Sequence, residues 1–236
     1  MELKKHPKAL TINEQIENLE ALNLKMEDKE FAAHFLNDVS YFRFIKAYSL
    51  GLKPKNGLYY DGVTFEQLVE LYLFNANFRQ LLFAQIEKVE INLRCRVSNH
   101  FSSAYGVLGY KDSSNFADKD YALVEIFSFG TLSKFFKNMK SSDKKVVAGT
   151  YGVSYVYFES WIESIAYVRN LCAHYGRLYN AKLTKTPKLY SHDRMLGTAN
   201  ICIFGILVCL KYILPPDRHW IEFVDLLWDE LRRQNE

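Results

Sequence analysis

Cysteine, proline and long apolar runs are scarce in this 236-residue chain, which has 4 Cys and 5 Pro. No C-x-x-C pair is present, so the common zinc and redox motifs are excluded. The cysteines lie among apolar residues, and we expect reduced, buried thiols in a reducing compartment. They are Cys95, Cys172, Cys202 and Cys209. Because 49% of the residues are hydrophobic, a disordered or fibrous protein is also excluded and a sizeable core is available.

Neither a strong net charge nor a membrane segment is visible in the sequence. The formal net charge is +3, from 30 basic and 27 acidic residues, so any nucleic-acid footprint must be local. The most apolar run, residues 201–210, is shorter than the ~20 residues of a membrane span and predicts a buried core helix. The N-terminal residues 1–10 carry charge but no apolar h-region, unlike a secretory signal. We therefore expect a cytoplasmic protein with no membrane partner.

Helical patterns cover most of the chain, and no coherent set of alternating strands is present, so the sequence predicts an all-α bundle. Helices at 11–24, 28–36 and 40–50 would form a small N-terminal helical subregion, residues 1–52. The Asn-Gly and Asp-Gly pairs within 53–62 predict a loop or a short β-hairpin. Residues 63–236 are then the main bundle, continuous with the first part as one compact unit. Its predicted helices cover 64–105, as one long helix or two nearly collinear ones, and 121–139, 143–148, 155–175, 195–214 and 219–233.

Local signals mark the ends of three of these helices. Thr11 with Glu14, and Thr64 with Gln67, have the spacing of a capping box at a helix start. The helix over 155–175 should end at Gly176, because glycine tolerates the left-handed conformation of a helix end.

The segment 154–180 is the most informative part of the sequence. At ~100° per residue, one side of its helix is apolar and the opposite side is polar but contains no lysine. An ordinary solvated face usually carries Lys and Glu in i,i+4 pairs, so this composition favours a site. The alternative for a histidine near a helix end is a simple interaction with the last carbonyls. The apolar positions are Phe158, Trp161, Ile165, Val168 and Cys172, and the polar ones are Glu159, Glu163, Tyr167, Asn170 and His174.

Arg169 to His174, RNLCAH, resembles the R-x4-H signature of HEPN domains in its RN-x-x-AH form, followed here by Arg177. The wider chain is similar to the Abi-like family of bacterial abortive-infection proteins, of the AbiD and AbiF type. The similarity extends from about Thr11 to Asn180. It is carried by the stretches LNDVSYFRFIKAY, FRQLLFAQIEKVEINLR, FSFGTLSKFFKNM and VRNLCAHYGRLYN.

This resemblance implies a HEPN-type helical bundle, often a homodimer, that acts in phage defence as a toxin. Active members of the family cleave RNA without metal or cofactor, so RNA and a second copy are the expected partners. An antitoxin or a regulatory RNA is a further partner that the family leaves open. By the same resemblance, Arg169 and His174 match the catalytic pair of the signature, with Asn170 as their polar companion.

The chemistry of these residue types agrees with metal-independent RNA cleavage. A base removes the 2′-OH proton, an acid protonates the departing 5′-oxygen, and a cation offsets the phosphorane charge. His174 lies near a helix C-terminus, which favours a cation, so we expect it to be the general acid. Arg169 would stabilise the phosphate. The two residues lie roughly 140° apart around a helix, so a dimer that pools two such helices would give a composite site, with the second His174 as base.

Carboxylates at helical spacing leave a metal site and other roles open. Glu87, Glu90 and Arg94 share one stripe of the long predicted helix, where an intrahelical ion pair is the ordinary interpretation. A supporting role for Glu87 and Glu90 in holding Arg169 is the more specific one. We assign no metal site. A rival from another class is a non-catalytic HEPN module that binds RNA or a partner through the same helix face.

A basic segment follows the motif, from Arg177 to Arg194, with tyrosines between its lysines. Such a mixture suits single-stranded RNA through phosphate contacts and base stacking. The predicted RNA-binding residues are Lys182, Lys185, Lys188, Tyr179 and Tyr190, with Arg177 in support. We interpret a second lysine cluster as a solubilising surface. Its members are Lys134, Lys137, Lys140, Lys144 and Lys145.

Overall fold

The computed structural model describes residues 9–54, 57–118, 128–195, 197, 199–214 and 218–233. These residues contain ten α-helices and two short 3₁₀ turns but no strand, only two isolated β-bridges, which confirms the all-α prediction. The helices are α1 (Ile12–Ala21), α2 (Lys29–Asp38), α3 (Tyr41–Tyr48), α4 (Phe65–Tyr105), α5 (Phe129–Asn138), α6 (Ser141–Gly149), α7 (Tyr155–Ala173), α8 (Ser191–Met195), α9 (Ile203–Ile213) and α10 (Arg218–Arg232).

The chain divides into two compact units, Met1–Ala76 and Asn77–Glu236, and α4 runs from the first into the second. This division falls inside α4, because the first turns of that helix pack with the N-terminal helices. The domain bounds predicted from the sequence, at residues 52 and 63, describe which segments fold as one unit. They stay a prediction. The described residues of 53–62 form turns and no hairpin.

The N-terminal unit contains α1, α2, α3 and the start of α4. Helix α1 begins with the predicted capping box: the Glu14 N–H donates to Thr11 Oγ1 at 3.3 Å, and the Thr11 N–H donates to Glu14 Oε2 at 2.7 Å. Aromatic rings fill its core, where Phe44 packs against Phe35 and Phe65 with ring centroids 4.9 and 5.5 Å away. Aromatic contacts of this kind stabilise a small core that has no disulfide.

Helix α4 is one helix of 41 residues. It begins with a second capping box, in which Thr64 and Gln67 exchange hydrogen bonds at 3.2 and 3.3 Å. No glycine or proline interrupts it, which explains its length. In the C-terminal unit its buried stripe repeats every three or four residues, through Phe78, Leu82, Ile86, Val89, Leu93, Val97 and Phe101.

Helix α7 is the central element of the C-terminal unit and packs against α5, α6 and α9. The five apolar positions predicted from its sequence are all buried, which confirms the core face. Helix α9 contributes Ile206, Cys209 and Leu210 to the same core. No helix among the described residues is long and apolar enough to cross a membrane.

Two helix predictions need correction or restriction. The helix predicted from 195 begins only at Ile203, because Gly197 takes a φ of 81° that ends α8 and starts a turn. Helix α5 begins at Phe129, and residues 121–127 of the helix predicted there lie outside the described residues. Residues 1–8, 55–56 and 215–216, which also carry predictions, lie outside the described residues as well.

The expectation of four buried thiols is wrong for Cys95, which is exposed, and for Cys202, which is half-buried. Cys95 lies between the core positions Leu93 and Val97 on α4, and a residue two positions from each faces away from the core. Cys172 and Cys209 are buried, and all four thiols are free.

Burial raises the pKa of the Cys172 thiol to about 12 and also raises that of Cys209. Because the thiolate is the reactive form, iodoacetamide at mildly alkaline pH should alkylate Cys95 in the folded protein and leave these two thiols unmodified. Mass spectrometry of the tryptic peptides measures this order. In guanidinium chloride all four should react, and equal rates for Cys95 and Cys172 in the folded protein would contradict the placement of α4 and α7.

Candidate functional site

The C-terminus of α7 carries the predicted motif and ends in a Schellman motif. The Gly176 N–H donates to the Leu171 carbonyl at 2.6 Å, and the Tyr175 N–H donates to the Cys172 carbonyl at 3.2 Å. The prediction that Gly176 itself takes the left-handed conformation is wrong, because Tyr175 takes it, with a φ of 57°. Gly176 is required for another reason: a Cβ there would lie 2.9 Å from the Leu171 oxygen.

A left-handed conformation at Tyr175 is unfavourable by roughly 1–2 kcal/mol for a residue with a side chain. The guanidinium of Arg79, a buried residue of α4, lies 5.4 Å from the centre of the Tyr175 ring. This cation–π contact offsets part of that cost. The Schellman hydrogen bonds and the contact between Arg79 and Tyr175 therefore hold the turn that follows His174.

His174 is the C-cap residue of α7 and is exposed. Its N–H donates to the Asn170 carbonyl at 3.0 Å, so it continues the polar stripe of α7 by one turn. Asn170 is exposed as well. The predicted pair of Asn170 and His174 thus lies on one accessible stripe at the end of the helix.

Arg169 lies in different surroundings, against α4. Its Nε is 3.6 Å from Glu90 Oε2, and its guanidinium lies 5.5 Å from the centre of the Phe83 ring. Glu90 also accepts a hydrogen bond from Arg94 at 2.9 Å. Glu90 therefore forms the intrahelical ion pair and contacts Arg169 at the same time. The side chains enclose a cavity of about 170 Å³, lined by Phe83, Glu87, Glu90, Ile91, Arg94 and Arg169.

No hydrogen bond or ion pair joins Arg169 to His174 among the described residues. Arg169 lines the cavity beside α4, whereas His174 lines neither that cavity nor the groove described next. The Nε of Arg169 is buried without a hydrogen-bond partner in the described structure, so its contact with Glu90 is an ion pair only. Among the described residues of one chain, the contacts of Arg169 are therefore with Glu90 and Phe83 and not with His174.

A groove of about 400 Å³ lies between α5 and α7, and we refer to it as the α5–α7 groove. Helix α7 contributes Glu163, Tyr167 and Asn170 to it, which are three members of the predicted polar face. Helix α5 contributes Lys134 and Lys137. The groove is lined by Ser128, Gly130, Thr131, Ser133, Lys134, Lys137, Glu163, Ala166, Tyr167, Asn170 and Lys185.

The lysine cluster interpreted as a solubilising surface does not form one surface. Lys134 and Lys137 line the α5–α7 groove, whereas Lys144 is buried and its Nζ lies 2.7 Å from Glu159. Lys145 is exposed on α6. The sequence missed the groove because its lysines and the polar face of α7 lie about thirty positions apart, and only packing brings α5 beside α7.

The basic segment after the motif runs along α7. The Lys188 N–H donates to Ser160 Oγ at 2.9 Å, and Trp161 Nε1 donates to the Lys188 carbonyl at 2.6 Å. Lys185 Nζ pairs with Glu163 at 2.7 Å, and this hydrogen bond lowers the pKa of the Glu163 carboxyl. The side chains of Lys182 and Lys188 are exposed. All three lysines therefore lie at the surface, but one of them already neutralises a carboxylate.

The two tyrosines of this segment are less accessible than the sequence suggested. Tyr190 packs in an aromatic cluster, with ring centroids 4.4 Å from Tyr157 and 5.5 Å from Trp161, and burial raises its pKa. Tyr179 is half-buried, as is Arg177, whose Nη2 lies 3.5 Å from the Asn180 carbonyl. A stacking role for either tyrosine stays a prediction.

Histidine and a buried carboxylate also meet away from the motif. His100 Nε2 lies 2.9 Å from Asp143 Oδ1, and the Tyr105 hydroxyl donates to Asp143 Oδ2 at 2.8 Å. This network joins α4 to α6. The sequence could not reveal it, because the partners are 38 and 43 positions apart. Among the described residues, no group of three or more His, Cys, Asp or Glu is arranged to hold a metal ion.

These observations define a class of protein: an all-α protein with a polar helix face beside a basic groove. The family model described as Abi-like protein matches residues 34–122 and 120–180, more than half of the chain and including all of α7. The chain therefore belongs to the Abi-like protein family, which indicates a role in abortive infection, a form of phage defence. Comparison with curated proteins and with solved structures found no match.

Gly176→Ala should destabilise the protein by about 1–3 kcal/mol, because its Cβ would meet the Leu171 oxygen and weaken the Schellman bond. Gly149→Ala is the matched control, since nothing lies within 4 Å of a Cβ at that helix end. It should be neutral or stabilising by up to about 1 kcal/mol. Urea unfolding of both variants measures the difference, and equal free energies of unfolding would contradict this helix end.

Proposed function

We propose that this Abi-like protein is a phage-defence toxin that cleaves RNA without metal, with Arg169 and His174 as its catalytic residues. The observation that carries the proposal is the position of His174, exposed one turn beyond Asn170, which lines the α5–α7 groove. An RNA strand near that groove would bring a phosphodiester to an accessible imidazole. Histidine transfers protons near neutral pH, as this reaction requires.

The proposed reaction forms a bond between the 2′-oxygen and phosphorus and breaks the bond to the 5′-oxygen. His174 donates a proton to the departing 5′-oxygen, and a base takes the proton of the 2′-hydroxyl. Arg169 stabilises the charge that develops on the phosphorane. We expect Arg169 to exchange its ion pair with Glu90, which lacks a hydrogen bond at Nε, for a phosphate. Glu90 is then a positioning residue.

We further propose that the active form is a homodimer, in which the second His174 is the base. Among the described residues of one chain, the contacts of Arg169 are with α4 and not with His174, which supports a site that is completed by a second copy. Exposed apolar side chains on α10 support self-association: Ile221, Val224 and Trp228 follow one another at i, i+3 and i+7.

A non-catalytic module that binds RNA or a partner is the second candidate. The contacts of Arg169 with Glu90 and Phe83 favour it, because they occupy the arginine without involving the histidine. In this alternative the same helix face only recognises phosphate. An antitoxin or a regulatory RNA would bind the same face and mask it.

His174→Ala should lower the rate of RNA cleavage by about 10²–10⁴-fold, because it removes a proton-transfer group. RNA affinity should change little, since phosphate recognition depends mainly on Arg and Lys. His34→Ala is the matched control, because His34 is an exposed histidine of α2. Cleavage of a labelled RNA, toxicity in cells and thermal unfolding are measured for both variants.

Two further readouts decide the mechanism. Cleavage should persist in EDTA and leave 2′,3′-cyclic phosphate ends, because the 2′-oxygen is the nucleophile. A requirement for Mg²⁺ or Mn²⁺ would move the chemistry to carboxylates. If a well-folded His174→Ala protein cleaves RNA as fast as the parent, the catalytic role of His174 is wrong. If the parent protein binds RNA but does not cleave it, the non-catalytic module takes the place of the nuclease.

A further inference from the structure

The α5–α7 groove has a surplus of positive charge. Three lysines and one glutamate line it, which is a formal charge of +2. The glutamate, Glu163, is already paired with Lys185. Among the described residues, neither Lys134 nor Lys137 forms an ion pair, and both are exposed. The charge of Lys137 also helps to lower the pKa of the Glu163 carboxyl, but Lys185 already pairs with that carboxylate, so the positive surplus of the groove is available to an anion.

The other lining groups suit a ligand that also carries hydrogen-bonding groups. Tyr167 and Asn170 form the opposite wall, and Ser128 and Thr131 lie where α5 begins. The positive end of the helix dipole of α5 adds to the lysine charge there. A cavity of about 400 Å³ is within the range of pockets for small ligands, so it holds a short piece of a polymer.

The α5–α7 groove also leads toward the motif. Asn170 is part of its wall, and the next turn of the same stripe ends in His174. A chain that lies along this wall passes from the lysines of α5 to the exposed imidazole. A free mononucleotide in the groove would stop short of His174, whereas a polynucleotide continues past it.

We propose that the α5–α7 groove binds the backbone of single-stranded RNA, with Lys134 and Lys137 contacting successive phosphates. This assignment rests on the proposed action on RNA and adds the substrate path, which lies on α5 and not only on the basic segment after the motif. Tyr167 and Asn170 provide hydroxyl and amide groups for the ribose and the bases. Single-stranded RNA suits the groove because its bases and backbone can both enter a narrow cavity.

The groove binding is tested with a Lys134→Ala/Lys137→Ala variant. Its matched control is Lys145→Ala/Lys211→Ala, which removes the same charge from exposed lysines outside the groove. The probe is a fluorescent 2′-O-methyl RNA 12-mer, which cannot be cleaved because it lacks the 2′-hydroxyl. Anisotropy titrations from roughly 50 to 200 mM salt give affinity and salt dependence. Circular dichroism checks that both proteins are folded.

The groove variant should bind the RNA more weakly, and the slope of log K against log salt should fall by about 1.4, the value for two lost phosphate contacts on a single strand. The control should keep the slope and affinity of the parent. Equal losses in both variants would show a general charge effect and overturn the assignment. An unchanged slope in the groove variant would overturn it as well.

Competition with small anions tests whether the groove binds RNA or instead a nucleotide or free phosphate. Excess ATP or inorganic phosphate should displace the RNA poorly, because each offers one short anionic group. Displacement by ATP at concentrations similar to those of the RNA would assign the groove to a nucleotide and overturn the RNA path.

The groove and the nuclease proposal fail in different ways. Loss of RNA binding in the groove variant together with full cleavage by His174→Ala supports the groove and contradicts the catalytic role of His174. Intact binding in the groove variant together with an inactive His174→Ala protein does the reverse.

Discussion

Burial of one face of α7 against α5, α6 and α9 determines where the polar residues of that helix lie. Phe158, Trp161 and Ile165 are each about fully buried, and exposing one such side chain costs roughly 1.5–3 kcal/mol. The helix cannot rotate without losing several of these contributions. Its polar residues must therefore face the α5–α7 groove and the neighbouring surface. The three charged side chains of α7 each meet an opposite charge: Glu159 pairs with Lys144, Glu163 with Lys185 and Arg169 with Glu90.

The two walls of the α5–α7 groove then have different character. The α7 wall is left with the neutral polar groups Tyr167 and Asn170, while α5 provides Lys134 and Lys137, which are exposed and form no ion pair within the described part of the chain. A neutral wall that hydrogen-bonds and a cationic wall together suit a ligand with both phosphates and sugars or bases. The stripe continues to His174, so the proposed recognition of RNA and the proposed proton transfer would follow one another along a single helix.

Local patterns in the sequence predict the fold well. Both capping boxes and the uninterrupted length of α4 depend on residues a few positions apart, and the structure confirms them. Other features depend on tertiary contacts that no local pattern reveals. Tyr175 replaces the expected glycine at the end of α7 because Arg79 and the Leu171 carbonyl hold that turn. The position of Lys134 beside α7 and the contact of Arg169 with Glu90 likewise require the packed bundle.

In the proposed function, RNA follows the α5–α7 groove to the end of α7. Photo-crosslinking of a single-stranded RNA that carries 4-thiouridine, followed by mass spectrometry of the peptides, measures this path. We expect crosslinks on α5 peptides near Lys134 and on the α7 peptide that contains Tyr167 and His174. Crosslinks confined to α10 or to residues 186–195, with none on α5 or α7, would contradict it.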